Sequence, residues 1–204
     1  MTENVSEPTI VSPYERTNDD NGYAVYSVVL IATLHQQAAV DAVRKSVGNR
    51  RSMIPAHITV KGTFCEIPSL DEIVSHLRSV ARDTTKFDVV FGTDGVKKRT
   101  IADGGGFAGQ SIQKTAELVQ LHNGLYDSIA PITTNAYGRE DGDHYRPHMT
   151  IFHEPSPELE HQTDDLLLSL DIGEGYECDA MFLMGHIGRP YRGRWTVVRE
   201  VPFG

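Results

Sequence analysis

The sequence predicts an α+β protein, and three observations carry that prediction. Segments with two-residue apolar alternation and segments with a helical apolar stripe succeed one another as roughly β-α-β-α-β-β, and the order then repeats. Each run ends in two strands with no helix between them, as an antiparallel hairpin requires, whereas a doubly wound parallel sheet needs a helix between every pair. The 204 residues, 39% hydrophobic and 23% charged, suffice for one sizeable core or for two small lobes sharing one.

The elements follow in order. Residues 1–21 are polar and acidic and read as a flexible tail, leaving 22–204 as the folded domain. YAVYSVVLIATL, 23–34, is rich in Val, Tyr and Ile and reads as a buried strand. QQAAVDAVRKSVG places Ala39, Val40, Val43 and Val47 at helical spacing, with Gly48 as the stop. HITVKGTF, 57–64, alternates as a strand. Ser69 caps a helix that carries Leu70, Ile73, Val74, Leu77 and Val80 on one face.

Residues 86–96 alternate as a strand, with a second strand over 98–102; DGGGF then turns the chain into a third strand at 107–112. Residues 114–129 form an amphipathic helix with Leu118, Leu121, Leu125 and Ile129 aligned. A polar loop or irregular strand spans 133–143, and HMTIFHE is the next strand. Ser156 or Pro157 opens a helix running through Leu170, and YECDAMFLMGH and RWTVVREVPF close the chain as strands.

The formal net charge of −9 excludes a general basic surface for long nucleic acid, because phosphate neutralisation needs clustered Lys and Arg. A small phosphorylated ligand remains compatible, since a few local cations can hold it. The two cysteines, Cys65 and Cys178, offer neither a disulfide framework nor metal-ligand spacing and read as unpaired thiols of a reducing compartment. The N-terminus has no secretory pattern and no apolar stretch is long enough for a bilayer, so the expected setting is cytoplasmic, with no membrane partner.

The distinctive feature is a repeated pattern. Residues 55–60 read PAHITV and residues 147–151 read PHMTI. In a strand alternate residues share a face, so His57, Thr59 and Lys61 are expected on one side, and His148, Thr150 and Phe152 on one side of the second strand. Each strand then offers an imidazole and a hydroxyl together over an apolar back. Phosphodiester chemistry needs those groups: one base for the nucleophile, one acid for the leaving oxygen, and donors for the non-bridging oxygens. Histidine performs either proton transfer near neutrality, so neither a metal nor a cofactor is required.

PAHITVKGTF and YRPHMTI resemble the paired H-x-T-x signatures of the 2H phosphoesterase superfamily, which includes 2′-5′ RNA ligase-like proteins and cyclic phosphodiesterases. The resemblance covers residues 23–204. It implies a bilobal fold of two pseudo-symmetric lobes, mainly antiparallel sheet with helices outside, and a central cleft. It further implies a metal-independent phosphodiesterase acting on 2′,3′-cyclic phosphate or 2′-5′ groups of RNA ends or small nucleotides, with 2′-5′ RNA ligation as the reverse reaction. Carried over by position, His57 and His148 become the acid–base pair and Thr59 and Thr150 the phosphate binders. Lys61 matches a basic residue of some members. Phe152 stands at the corresponding place in the second copy, where an aromatic can stack on a base. We assign His148 as base and His57 as acid, roles that reversal of the reaction would exchange.

Tyr145 and Arg146 precede the second motif, and Tyr191, Arg192 and Arg194 combine aromatics with cations near the end; all are candidates to hold base or phosphate. Trp195 reads as core, and His122 as structural or exposed. His144, His148 and His153 could mimic a metal set, but Pro147 breaks any helix aligning the first two, and His153 falls on the other strand face from His148. The expected partner is a small nucleotide or RNA end, bound by a monomer. Two rival readings stay open: a phosphodiesterase of cyclic or 2′-5′ signalling oligonucleotides, and a non-catalytic module that holds nucleotides or RNA ends without turnover.

Overall fold

The computed structural model describes residues 19–48, 54–100, 106–136, 142–153, 160–188 and 194–204. Residues 1–18 of the expected tail lie outside this set. From Asp19 onward the chain is tied down: its carboxylate accepts from the Asn21 and Tyr23 backbone N–H groups and from the Tyr26 hydroxyl.

Strand β1 (Val25–Ile31) is buried almost throughout, as its unbroken apolar run requires. It ends earlier than the sequence predicts because Thr33 starts α1 (Leu34–Ser46). The Gln36 side chain reaches back to accept from both the backbone N–H and the hydroxyl of Thr33. β2 (His57–Cys65) leads to α2 (Leu70–Arg82), where Ser69 Oγ accepts from the Glu72 N–H and Ile73, Val74, Leu77 and Ala81 are buried.

β3 (Phe87–Thr100) is one long strand where the sequence predicts two; its register breaks between Phe91 and Val96, around Gly92 and a left-handed Gly95. β4 (Gly106–Ile112) and α3 (Ala116–Ile129) follow, the helix capped by Thr115. A two-residue β5 (Thr134–Asn135) lies within the expected irregular segment, and β6 (His148–His153) carries the second motif. α4 (Glu160–Leu168) comes next; the predicted opening at Ser156 or Pro157 lies outside the described residues. The strand expected over 176–186 divides into β7 (Gly175–Cys178) and β8 (Ala180–Ile187), and β9 (Arg194–Pro202) ends the chain.

Every strand pairing is antiparallel, and the sheet runs β7-β3-β4-β6-β2-β1-β8-β9, with β5 added to β2. The order is symmetric about its midpoint. Reading outward, β6 matches β2, β4 matches β1 and β3 matches β8. The units β1-α1-β2-α2-β3 and β4-α3-β6-α4-β8 are therefore equivalent, and each sends its last strand into the other half. This crossing explains the split at Asp179: β7 serves β3 in one half and β8 serves β1 in the other. The helices cross too, α1 packing on β6 and α3 on β2. One apolar core joins both halves, including Leu30, Ile58, Leu77, Leu121, Met149 and Leu183.

The candidate active site at the midline of the sheet

Strands β2 and β6 meet at the centre through the pair Ile58–Met149, both fully buried. Antiparallel pairing carried one step each way sets His57 across from Thr150, and Thr59 across from His148. Paired residues share a face, so both imidazoles and both hydroxyls stand together opposite the buried Ile58 and Met149. All four residues are partly exposed. Directly opposed Cα atoms lie about 4.5–5.5 Å apart and diagonal ones about 7–8 Å, so His57 and His148 are diagonal neighbours across the two strands. The two motifs thus form one site on two adjacent strands.

The imidazoles are held identically. His57 Nδ1 donates to the Pro55 carbonyl at 2.7 Å, and His148 Nδ1 donates to the Arg146 carbonyl at 2.9 Å, in each case two residues back. A carbonyl only accepts, so each Nδ1 carries a proton. The segment leading to His57 is fixed in turn by Gln37, whose amide donates to the Ala56 carbonyl at 2.8 Å and accepts from its N–H at 2.7 Å.

Both strands carry a one-residue bulge at the fourth motif position. On β2, Thr59 pairs with Val29 but Lys61 pairs with Val28; on β6, Thr150 pairs with Gly109 but Phe152 pairs with Ala108. Two residues on one strand oppose one on its neighbour, so alternation reverses there. Val60 and Lys61 are both buried, as are Ile151 and Phe152. The expectation that Lys61 and Phe152 share the face of the His-Thr pairs is therefore corrected. Lys61 Nζ donates to Asn135 Oδ1 at 2.9 Å and lies 5.7 Å from the Phe64 ring and 5.9 Å from that of Tyr126 on α3. Phe152 is a core side chain.

The bulges leave carbonyls outside the ladder, and side chains meet them. His122 of α3 donates from Nδ1 to the Val60 carbonyl at 2.6 Å, while its Nε2 accepts from the Gly142 N–H at 2.9 Å. Arg44 of α1 donates to the carbonyls of Ile151 at 2.7 Å, Thr150 at 3.2 Å and Ile54 at 3.0 Å. Burial works against the Arg44 charge, and the Asp41 carboxylate 3.2 Å from Nη1 works for it. Tyr145, expected to touch substrate, is instead buried; its hydroxyl donates to the Thr59 carbonyl at 3.1 Å and its ring stacks on His122 with centroids 3.8 Å apart.

Arg146 is exposed beside His148, while Tyr191 and Arg192 lie outside the described residues. Arg194 is exposed on β9, and Trp195 packs with Val25, Cys65 and Ala136. Sequence reasoning missed Phe107, whose ring lies 5.4 Å from that of His148. Gly109 between them permits it: a Cβ there would stand 3.1 Å from Phe107 Cε2. Arg44 was also missed, although it interrupts the apolar stripe of Val40, Val43 and Val47, whereas His122, read as structural or exposed, is buried and structural.

An antiparallel sheet built from two interleaved halves, with matched histidine and threonine pairs at its midline, defines the 2H class of phosphoesterase folds. The sequence model of the 2′-5′ RNA ligase superfamily matches residues 33–187, and the chain belongs to that family. It is 27% identical over 166 residues to "Putative phosphoesterase OB1230" of Oceanobacillus iheyensis, covering 76% of this chain and 82% of the relative. Its fold is similar to that of Escherichia coli LigT complexed with 3′-AMP, at TM-score 0.56 and 14% identity, over 87% of this chain and 96% of LigT. TT0787 of Thermus thermophilus matches at TM-score 0.55 and 13% identity, over 88% of this chain and 97% of that protein. Among the described residues, no helix is long and apolar enough to cross a membrane.

Proposed function

We propose that the chain is a metal-independent phosphodiesterase that opens 2′,3′-cyclic phosphates or cleaves 2′-5′ linkages at RNA ends or in small nucleotides. The observation that carries this reading is the cross-strand square, His57 facing Thr150 and Thr59 facing His148, with both imidazoles held through Nδ1. The phosphate sits between the diagonal histidines, its non-bridging oxygens accepting from the two threonine hydroxyls. One Nε2 takes the proton of the attacking water; the other protonates the departing ribose oxygen on the opposite side of phosphorus. Because the two imidazoles are held alike, the same square serves ligation, in which a 5′-hydroxyl takes the place of water and attacks the 2′,3′-cyclic phosphate; one imidazole takes its proton, the P–O3′ bond breaks, the other imidazole protonates the 3′ oxygen, and a 2′-5′ bond results. LigT is described with 3′-AMP bound, which supports a nucleotide-sized substrate for this fold.

The test is turnover in excess EDTA of 2′,3′-cyclic nucleotides, 2′-5′ and 3′-5′ dinucleotides, and cyclic dinucleotides. His57→Ala and His148→Ala should each lower kcat about 10²–10⁴-fold, the scale of one acid–base group. Full activity in either variant would refute the pair. Binding without turnover of any substrate would identify a nucleotide-holding module instead, and preference for cyclic dinucleotides would redirect the reading to signalling oligonucleotides.

A further inference from the structure

We propose that Arg44 and His122 are a pseudo-symmetric pair of positioning residues, each holding one His-Thr strand by the carbonyl that its bulge leaves unpaired; this rests on the phosphodiesterase reading above.

The two residues differ in type and come from different helices, yet they do the same thing at the same motif position. Val60 and Ile151 are the fourth residues of the two copies and the extra residues of the two bulges. A bulged residue drops out of the ladder, and a buried carbonyl without a donor costs about 1–3 kcal/mol. Each of these carbonyls receives its donor from the helix packed on that strand, which belongs to the other half of the fold. His122 on α3 serves β2, and Arg44 on α1 serves β6. The third-position carbonyls are held as well, Thr59 by the Tyr145 hydroxyl and Thr150 by Arg44. The backbone of both phosphate-facing threonines is thereby pinned from the face away from substrate.

His122 also links the two motifs. Its ring stacks on Tyr145, and Tyr145 stands one residue before Arg146, whose carbonyl orients His148. Moving His122 therefore disturbs Thr59 directly and His148 through the 145–148 segment. Arg44 cannot be replaced by Lys on equal terms. Its planar fork reaches three carbonyls and a carboxylate at once, whereas an ammonium on a flexible stem cannot span Ile54, Thr150 and Ile151 together. Acid–base groups on opposite sides of a phosphorus tolerate little displacement, with about 1 Å costing about 10²-fold.

The test compares Arg44→Lys, His122→Leu and His122→Asn by steady-state kinetics on a turned-over substrate from the panel. In parallel, ¹⁵N-histidine spectra of the free protein report the tautomers of His57 and His148. Arg44→Lys and His122→Leu should lower kcat about 10–100-fold, the scale seen when groups that orient a ligand are removed, with KM changed less than about threefold. Arg44→Lys should shift the His148 ring signals, and His122→Leu those of His57 on the strand it holds and of His148 through Tyr145. His122→Asn, which keeps a donor for the Val60 carbonyl, should recover most of the loss.

Folded variants with wild-type kcat, or losses that track only the folded fraction while the imidazole signals stay in place, would overturn the proposal. Absence of turnover in the wild type would defeat the phosphodiesterase reading alone. The imidazole spectra would still decide whether Arg44 and His122 set the two histidines.

Discussion

Replacing Lys61 by Met separates what strand alternation predicts from what the bulge imposes. On the site face the ammonium would stabilise developing phosphate charge, and its removal would cost about 10²–10³-fold, as for one oxyanion donor. In the structure it is fully buried on the other face, 2.9 Å from Asn135 Oδ1 and about equidistant from two aromatic rings. Met keeps the length of the stem but forfeits a charge-assisted hydrogen bond worth about 1.5–3 kcal/mol and cation–π attraction of about 0.5–2 kcal/mol. Against this, the burial penalty of an ammonium, several kcal/mol, is relieved. The opposing contributions leave a net change within about 2 kcal/mol, which for a chain of this size moves Tm by less than about 8 °C. We therefore expect kcat/KM on the preferred cyclic nucleotide to change less than about threefold, equivalent to less than about 0.7 kcal/mol of transition-state stabilisation. A hundredfold fall in a variant with native Tm would refute the bulge argument and return Lys61 to the phosphate.

Other outcomes follow from packing and titration. Gly185→Ala places a methyl group on the Tyr23 ring and should destabilise by about 1–3 kcal/mol in urea melts, whereas an unchanged midpoint would mean the ring is not fixed there. Burial holds the His186 imidazole below its ordinary value, a backbone hydrogen bond to Gly188 acting the other way. The unfolded chain thus binds the proton more readily, and this contribution is intact above about pH 6.5 and lost as the pH falls through the depressed folded value. His186→Gln should flatten the decline in stability between pH 7 and 5, and an unaltered slope would remove His186 as a cause. Both cysteines are buried thiols, and burial pushes the Cys178 thiol up to about 11. Neither should react with iodoacetamide at pH 8 until the protein is unfolded in urea, and rapid native labelling of Cys178 would contradict that burial.

The fold class and the midline residues were legible because their signals are local. Two-residue alternation placed His57 with Thr59 and His148 with Thr150, and the helical stripes, the first with Ser69 as its cap, marked α2 and α3 within two residues. What failed was extrapolation past the bulges. Counting by two from Thr59 reaches Lys61 and from Thr150 reaches Phe152, but one inserted residue reverses the count, and nothing in VKG or IFH announces an insertion. The fused β3 and the division at Asp179 were equally hidden, because both follow from strands crossing to the other half, a pairing between residues far apart in the chain. Tyr145 looked like a substrate aromatic because its partners, His122 and the Thr59 carbonyl, come from elsewhere in the sequence.

The differences between the two copies now have a physical reading. The halves agree at the four residues that face the site and at the presence of a bulge after them, and they differ from the bulge onward. Lys61 meets Asn135, Phe64 and Tyr126, whereas Phe152 meets apolar core, so each fits the layer it entered. The carbonyl donors diverged likewise: a guanidinium serves one strand and an imidazole the other, and the shared requirement is a donor at the bulge. Since each bulge is held by a helix from the opposite half, neither half can present a finished histidine–threonine pair alone. The site is a property of the interleaving itself. A change in either α1 or α3 is therefore felt on the strand it packs against, across the midline from its own motif.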